Sequence, residues 1–130
     1  MPSDFEGTAM EKVLIVDDNL LFRKLLRESL HCRLPSLIIS EAKDRKEATE
    51  MIRTSLPDLI FMDIRLPDGN GFEVTHQIKK LHPNVKVVIV TSYDEPEYRD
   101  AALRCKADHY VAKDNLMSLF SGILPETLFG

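Results

Sequence analysis

The chain has 130 residues, 44% of them hydrophobic and 29% charged, with a formal net charge of -4. This is the composition of one ordinary folded domain, and it excludes a disordered chain. The mild acidity excludes a nucleic-acid surface built on bulk positive charge, and its plainest meaning is solubility.

Residues 1–10 read as a loose polar start. Glu11–Val16 is a short apolar run that leads straight into Asp17, Asp18 and Asn19, which makes it a buried strand with acids at its exit. The spacing then predicts a helix over 20–34, with Phe22, Leu25, Leu26, Ser29 and Leu30 on one face, Asp18 or Asn19 as its cap and Pro35 as its stop. Leu37–Ala42 is a second strand. Asp44–Leu56 is a second helix with Ala48, Met51, Ile52 and Leu56 inward, closed by Pro57. Asp58–Asp63 is a third strand, four apolar residues running into one carboxylate, and the turn formers Leu66-Pro67-Asp68-Gly69 follow.

Gly71–His82 is a third helix, led by Phe72, Val74, Ile78 and Leu81 and ended by Pro83. Val85–Val90 is a fourth, very apolar strand that ends in Thr91-Ser92-Tyr93. Glu95–Lys106 is a helix with Tyr98, Ala101, Ala102 and Cys105 on one side. His109–Ala112 is a short fifth strand ending in Lys113, and Asp114 caps a last helix over 115–124. Five strand–helix units predict an α/β fold, one parallel sheet with helices on both faces. The expected single domain spans 11–124, with flexible termini at 1–10 and 125–130. Cys32 and Cys105 lie far apart with no CxxC, so buried or half-buried thiols are expected, not a disulfide or a zinc site. No apolar run is long enough to cross a bilayer and the amino terminus lacks the pattern of a signal peptide, so the expected location is cytoplasmic, without membrane contact.

In a parallel sheet the strand exits gather at one edge, where α/β proteins bind their ligands. That edge receives Asp17 and Asp18, then Asp63, then Thr91, then Lys113. Each alone has a plainer reading: an aspartate pair is often a helix cap, and a lysine is usually a surface charge. Together they are three carboxylates, a hydroxyl and an ammonium in one crevice. Clustered carboxylates repel, which raises a pKa or calls for a cation, and oxygen-only ligands suit Mg2+ or Mn2+. A carboxylate can also act as a nucleophile toward phosphorus, with the cation and the lysine neutralising the transferring group.

With this order of residues the chain closely resembles the receiver domain of two-component response regulators. Val13–Asp18, Asp58–Gly71, Val87–Ser92 and Ala107–Lys113 carry the resemblance, which covers residues 11–124. It implies a flavodoxin-like (βα)5 fold with sheet order 2-1-3-4-5. It implies Asp63 as the phosphoacceptor for a histidine kinase's phosphohistidine. Asp17, Asp18, Asp63 and the backbone carbonyl of Arg65 would hold Mg2+, with Mn2+ as an alternative. Thr91 is implied as the switch hydroxyl, Lys113 as its phosphate-binding partner, and Tyr110 as the aromatic that turns with Thr91. The partner implied is a sensor histidine kinase, with a homodimer or an output domain left open and no direct nucleic-acid binding by this chain. Catalysis would be limited to the protein's own phosphorylation and dephosphorylation.

Several residues depart from the family pattern. Lys106-Ala107 stands where Gly-Ala is frequent, so a lysine would occupy a left-handed helix end, or that end is altered. His109 replaces a frequent glycine and makes that edge bulkier. Asp114 after Lys113 resembles receivers of LuxR-type DNA-binding regulators, so the chain is either part of a longer transcription regulator or a stand-alone receiver. Arg65 flanks the phosphate entrance. Three other readings use a similar frame. A receiver fold acting as a constitutive interaction module would take up no phosphate. An aspartyl phosphatase would need a second acid where Arg65 stands, and an FMN module would need a Ser/Thr/Gly-rich first loop where Asp17-Asp18-Asn19 stands.

Overall fold

Apolar runs bounded by turn formers supply the strands of a single parallel sheet. The structure, a computed structural model, describes residues 11–92 and 95–115. The strands are β1 (Lys12–Val16), β2 (Ile38–Ala42), β3 (Leu59–Met62), β4 (Lys86–Thr91) and β5 (His109–Ala112). They lie in the order β2-β1-β3-β4-β5, and every neighbouring pair is parallel. The helices are α1 (Leu20–Arg33), α2 (Arg45–Thr54), α3 (Gly71–Leu81) and α4 (Pro96–Arg104). Fold class and sheet order are thus as expected. Lys113–Asn115 forms a 3-10 turn that contains Asp114. The helix expected beyond it, to Leu124, lies outside the described residues, as does Tyr93.

Strand alternation divides the core in two. Val13, Ile15, Leu59, Phe61, Val88 and Val90 face α1 through Leu26 and Leu30. Leu14, Val16, Ile60, Met62, Val87 and Ile89 face α2, α3 and α4 through Ala48, Val74, Ile78 and Ala102. Both faces of β3 are therefore dry, and each large side chain on them contributes roughly 1.5–3 kcal/mol of burial. Four sequence expectations are corrected. Leu25 is 49% exposed because the buried stripe of α1 runs through Leu26 and Leu30 and leaves it on the flank. Leu56 is exposed because α2 stops at Thr54, so helical spacing no longer governs it. Leu81 is exposed at the last residue of α3, beyond the final buried position at Ile78. Cys32 is exposed, since it lies about 200° round the helix from Leu30, whereas Cys105 is buried as expected.

Helix ends show how the loops are fixed. Asn19, Asp44 and Asn70 cap α1, α2 and α3 by accepting from the backbone N–H of Phe22, Glu47 and Phe72. The stretch after Asp63 is more ordered than a plain loop: Arg65–Leu66 pairs antiparallel with Gly69–Asn70. At its tip the Asp68 carboxylate accepts from Arg45 N at 2.7 Å and Lys46 N at 3.0 Å, on the amino terminus of α2. Those two N–H groups hold the Asp68 carboxyl below the usual range, Arg45 first. At the end of α4, Lys106 keeps the left-handed geometry with φ 67°. Lys106 N–H donates to the Leu103 carbonyl and Ala107 N–H to that of Ala102, the paired bonds of a Schellman end.

Candidate functional site

Three strand exits converge as the topology requires. Asp17 directly follows β1 and is 1% exposed, and Asp63 directly follows β3 and is 8% exposed. Carboxylate oxygens of Asp17, Asp18 and Asp63 lie within 4.8 Å of one another. Lys113, at the exit of β5, brings its ammonium to 2.7 Å from Asp17 Oδ2 and 3.9 Å from Asp63 Oδ2. The ammonium also lies over the Phe22 ring, whose centroid is 4.4 Å from Nζ, so the first turn of α1 supplies a platform for the cation.

Backbone donors orient the acids. Asp17 Oδ1 accepts from Asn19 N at 2.9 Å, and Asp63 Oδ1 accepts from Ile64 N at 2.8 Å. The other oxygen of each thus faces the crevice. Burial is the main cause that pushes the Asp63 carboxyl up to about 6, with the Asp17 charge second; Lys113 and the Ile64 N–H pull against them. One ammonium among three carboxylates leaves the cluster short of positive charge. Oxygen donors at this spacing with a negative surplus fit a hard divalent cation, and no thiol or imidazole competes in the set.

Thr91 is fully buried at the last position of β4, and Met62 pairs with Ile89, so Thr91 and Asp63 stand at the same edge on neighbouring strands. Tyr110 is half-buried in β5 and packs on the core side that includes Ile89 and Ala102. Arg65 lies in the short ribbon two residues past Asp63 and is exposed.

Further contributors escaped the sequence reading. A Cβ on Gly71 would fall 2.0 Å from the backbone oxygen of Asp63, so only glycine lets α3 start against the acid's own carbonyl. Its N–H donates to the Ile64 carbonyl at 2.7 Å. Glu41 on β2 receives both Arg23 and Arg27 at 2.7 Å, and Arg23 also donates to the Asp17 carbonyl at 2.6 Å. Tyr98 binds Arg65, and the Arg99 guanidinium lies 4.9 Å from the Tyr110 ring centroid. Asp followed by Gly eight residues on was a visible signal for Gly71. The other contacts join separate elements and had no signal in spacing.

A family model described as the response regulator receiver domain matches residues 13–121. Response regulator protein VraR of Staphylococcus saprophyticus is 39% identical over 102 residues, 78% of this chain and 49% of that protein. The chain spans about half the length of such curated relatives. A LuxR-family DNA-binding response regulator from Staphylococcus aureus superposes with TM-score 0.74 at 27% identity, covering 81% of this chain and 88% of that one. The Mn2+-bound form of response regulator Rcp1 shares the fold with TM-score 0.80 at 22% identity, covering 91% of this chain and 94% of that one. Among the described residues no helix is long and apolar enough to cross a membrane.

Proposed function

The chain belongs to the response regulator receiver domain family, and from that premise we propose that it is a phosphorylation-controlled switch with Asp63 as phosphoacceptor. The observation that carries this reading is the cluster itself: three carboxylates within 4.8 Å, with one half-buried lysine reaching two of them. The phosphodonor is the phosphohistidine of a sensor histidine kinase in the cytoplasm. An oxygen of Asp63 bonds to phosphorus as the bond from phosphorus to the histidine nitrogen breaks, giving an acyl phosphate and a neutral imidazole. Asp17, Asp18 and Asp63, with the Arg65 backbone carbonyl, would hold Mg2+, or Mn2+ as named for Rcp1, and the ion would supply positive charge to neutralise phosphoryl oxygens.

This chain's own residues do the rest. Lys113, already between Asp17 and Asp63, holds a phosphoryl oxygen. The Thr91 hydroxyl donates to another, and Tyr110 on β5 follows it, which favours one of two arrangements of the surface around α4 and β5. The protein catalyses no reaction except on its own phosphate. In a longer chain the change would be passed to an output domain such as the DNA-binding one named for the Staphylococcus aureus relative.

Intact mass after incubation with a small phosphodonor tests the reading. A gain of about 80 Da that needs Mg2+, and is absent with chelator and in Asp63→Asn, is expected. A folded parent that never gains this mass would leave a constitutive interaction module in its place.

A further inference from the structure

Asp17 is held from behind, by its own backbone. Its N–H donates to the Ala42 carbonyl of β2 at 3.0 Å. Its carbonyl accepts from Arg23 Nη1 at 2.6 Å. Arg23 stands near the start of α1 with a side chain only 12% exposed, and its Nε donates to Glu41 Oε1 at 2.7 Å. Glu41 and Ala42 are neighbours on β2, so two consecutive residues fix both ends of the Asp17 backbone, one directly and one through the arginine. Arg23 N–H also donates to the Asn19 carbonyl at 3.1 Å. The arginine thus spans the turn Asp17–Asn19, with Asp18 between its two anchor points. Arg27 takes the other oxygen of Glu41 at 2.7 Å and the Ile39 carbonyl at 2.9 Å. Those bonds tie α1 to β2 as Arg23 does, but they run to the strand and not to the turn.

We infer that Arg23, locked by Glu41, is a positioning residue for the divalent-cation site: it fixes the turn that carries Asp17 and Asp18 so that both carboxylates gather toward Asp63. The inference rests on the cation reading above for the identity of the ligand. Charge alone works in the opposite direction. A guanidinium close to these acids lowers their pull on a cation, so its geometry must outweigh its charge. That geometry is specific. The fork sends separate nitrogens to Glu41 and to the Asp17 carbonyl, which a single ammonium does not reproduce. With the carbonyl pinned, Asp17 Oδ1 takes the Asn19 N–H and Oδ2 is left facing Lys113 in the crevice. Without the arginine the turn gains backbone freedom, which must be lost again when a cation gathers the acids.

Arg23→Met and Arg27→Met separate the turn from the tie between α1 and β2. In metal-free protein the Asp17 carbonyl carbon resonance should move upfield in Arg23→Met, which loses the donor, and stay in place in Arg27→Met. Calorimetric titration with MgCl2 should give a dissociation constant about tenfold weaker for Arg23→Met, and one within about twofold of the parent for Arg27→Met. Arg23→Lys keeps the charge and loses the fork; it should weaken Mg2+ binding in the same direction, and it decides the question if the methionine variant does not fold. Tighter or unchanged Mg2+ binding without Arg23 would show that the arginine acts by charge or not at all, and would overturn the inference. Equal weakening in the two methionine variants, or an unmoved Asp17 carbonyl resonance, would reduce Arg23 to a structural tie and overturn it as well. A parent that takes up no Mg2+ overturns it together with the cation reading. Weakening confined to the Arg23 variants supports it even in a parent that gains no phosphoryl group, where only the phosphoacceptor reading falls.

Discussion

The Lys113 ammonium lies 2.7 Å from Asp17 and 3.9 Å from Asp63, so the lysine rests on Asp17 and reaches Asp63 only at the limit of an ion pair. Asp17 Oδ2 is fully buried, and Lys113 meets it as an ion pair without the alignment of a hydrogen bond. The lysine therefore does in the metal-free protein part of what a divalent cation would do. It offsets repulsion between two buried carboxylates, and it would compete with a cation for them.

Lys113→Met is expected to destabilise the protein in chelator by roughly 2–4 kcal/mol, because a buried carboxylate loses its partner while the methionine keeps contact with Phe22. Mg2+ should then raise the melting temperature of the variant more than that of the parent, since the competing charge is gone. Thermal unfolding with and without Mg2+ checks this. Equal Mg2+ increments in the two proteins would show that Lys113 does not compete for the acids.

Asp63 gives the pH dependence its sign. Its carboxyl is raised from 3.8 to about 6, so the folded state binds this proton more tightly than the unfolded state does. Stability is therefore lost as pH rises from near 3.8 to about 6, and the full cost stands above that window. Asp63→Asn removes the titration. In chelator it should be the more stable protein at pH 7, by on the order of 1–3 kcal/mol, with the gap closing below pH ~4. Denaturant unfolding of both proteins between pH 4 and 8 measures the gap, and a gap that does not change with pH would refute the assignment.

Gly71 is the position where the fold leaves the site no slack. An added Cβ would sit 2.0 Å from Asp63 O and 2.9 Å from its carbonyl carbon, both backbone atoms that no rotamer change can move. Gly71→Ala should cost at least ~2–3 kcal/mol, because α3 must back away from the end of β3. Mg2+ affinity should fall with it, as the loop carrying Arg65 shifts. A variant with parental denaturation midpoint and parental Mg2+ titration would show that α3 can retreat freely.

The parts of this site that could be read in the sequence are those set by strand exits. Val13–Val16 and Leu59–Met62 are apolar runs stopped by acids, and a parallel sheet leaves those acids nowhere to go except one edge. Thr91 and Lys113 follow by the same rule. What could not be read depends on how separate elements meet. Glu41 joins Arg23 and Arg27 only because β2 lies beside β1 in register and α1 packs over both. Asp68 looked like a turn residue, and its carboxylate caps a helix more than twenty positions earlier. Leu25 was placed inward by spacing alone, but a helix packed on a sheet buries a stripe whose centre is chosen by the sheet beneath it. The pairing of Arg65 with Tyr98 depends on how α4 sits on the sheet edge, which periodicity does not specify.

Lys106 stands at the helix end where its left-handed backbone was already expected to be costly. The structure keeps that backbone, with φ 67° and both closing hydrogen bonds of the Schellman end in place. Cys105 adds a bond from its thiol to the Ala102 carbonyl at 3.3 Å, and Ala107 packs on the core beside Ala102, so the end is over-determined by its neighbours. The lysine side chain itself is exposed and adds nothing to that packing. Glycine adopts this geometry without the Cβ penalty of roughly 1–2 kcal/mol, but loses more entropy on folding. Lys106→Gly should therefore stabilise by about 0.5–1 kcal/mol, seen as a higher denaturation midpoint at unchanged slope. Lys106→Ala keeps the Cβ and should give none of that gain. If alanine stabilises as much as glycine, the cost lies in the lysine side chain and not in its backbone.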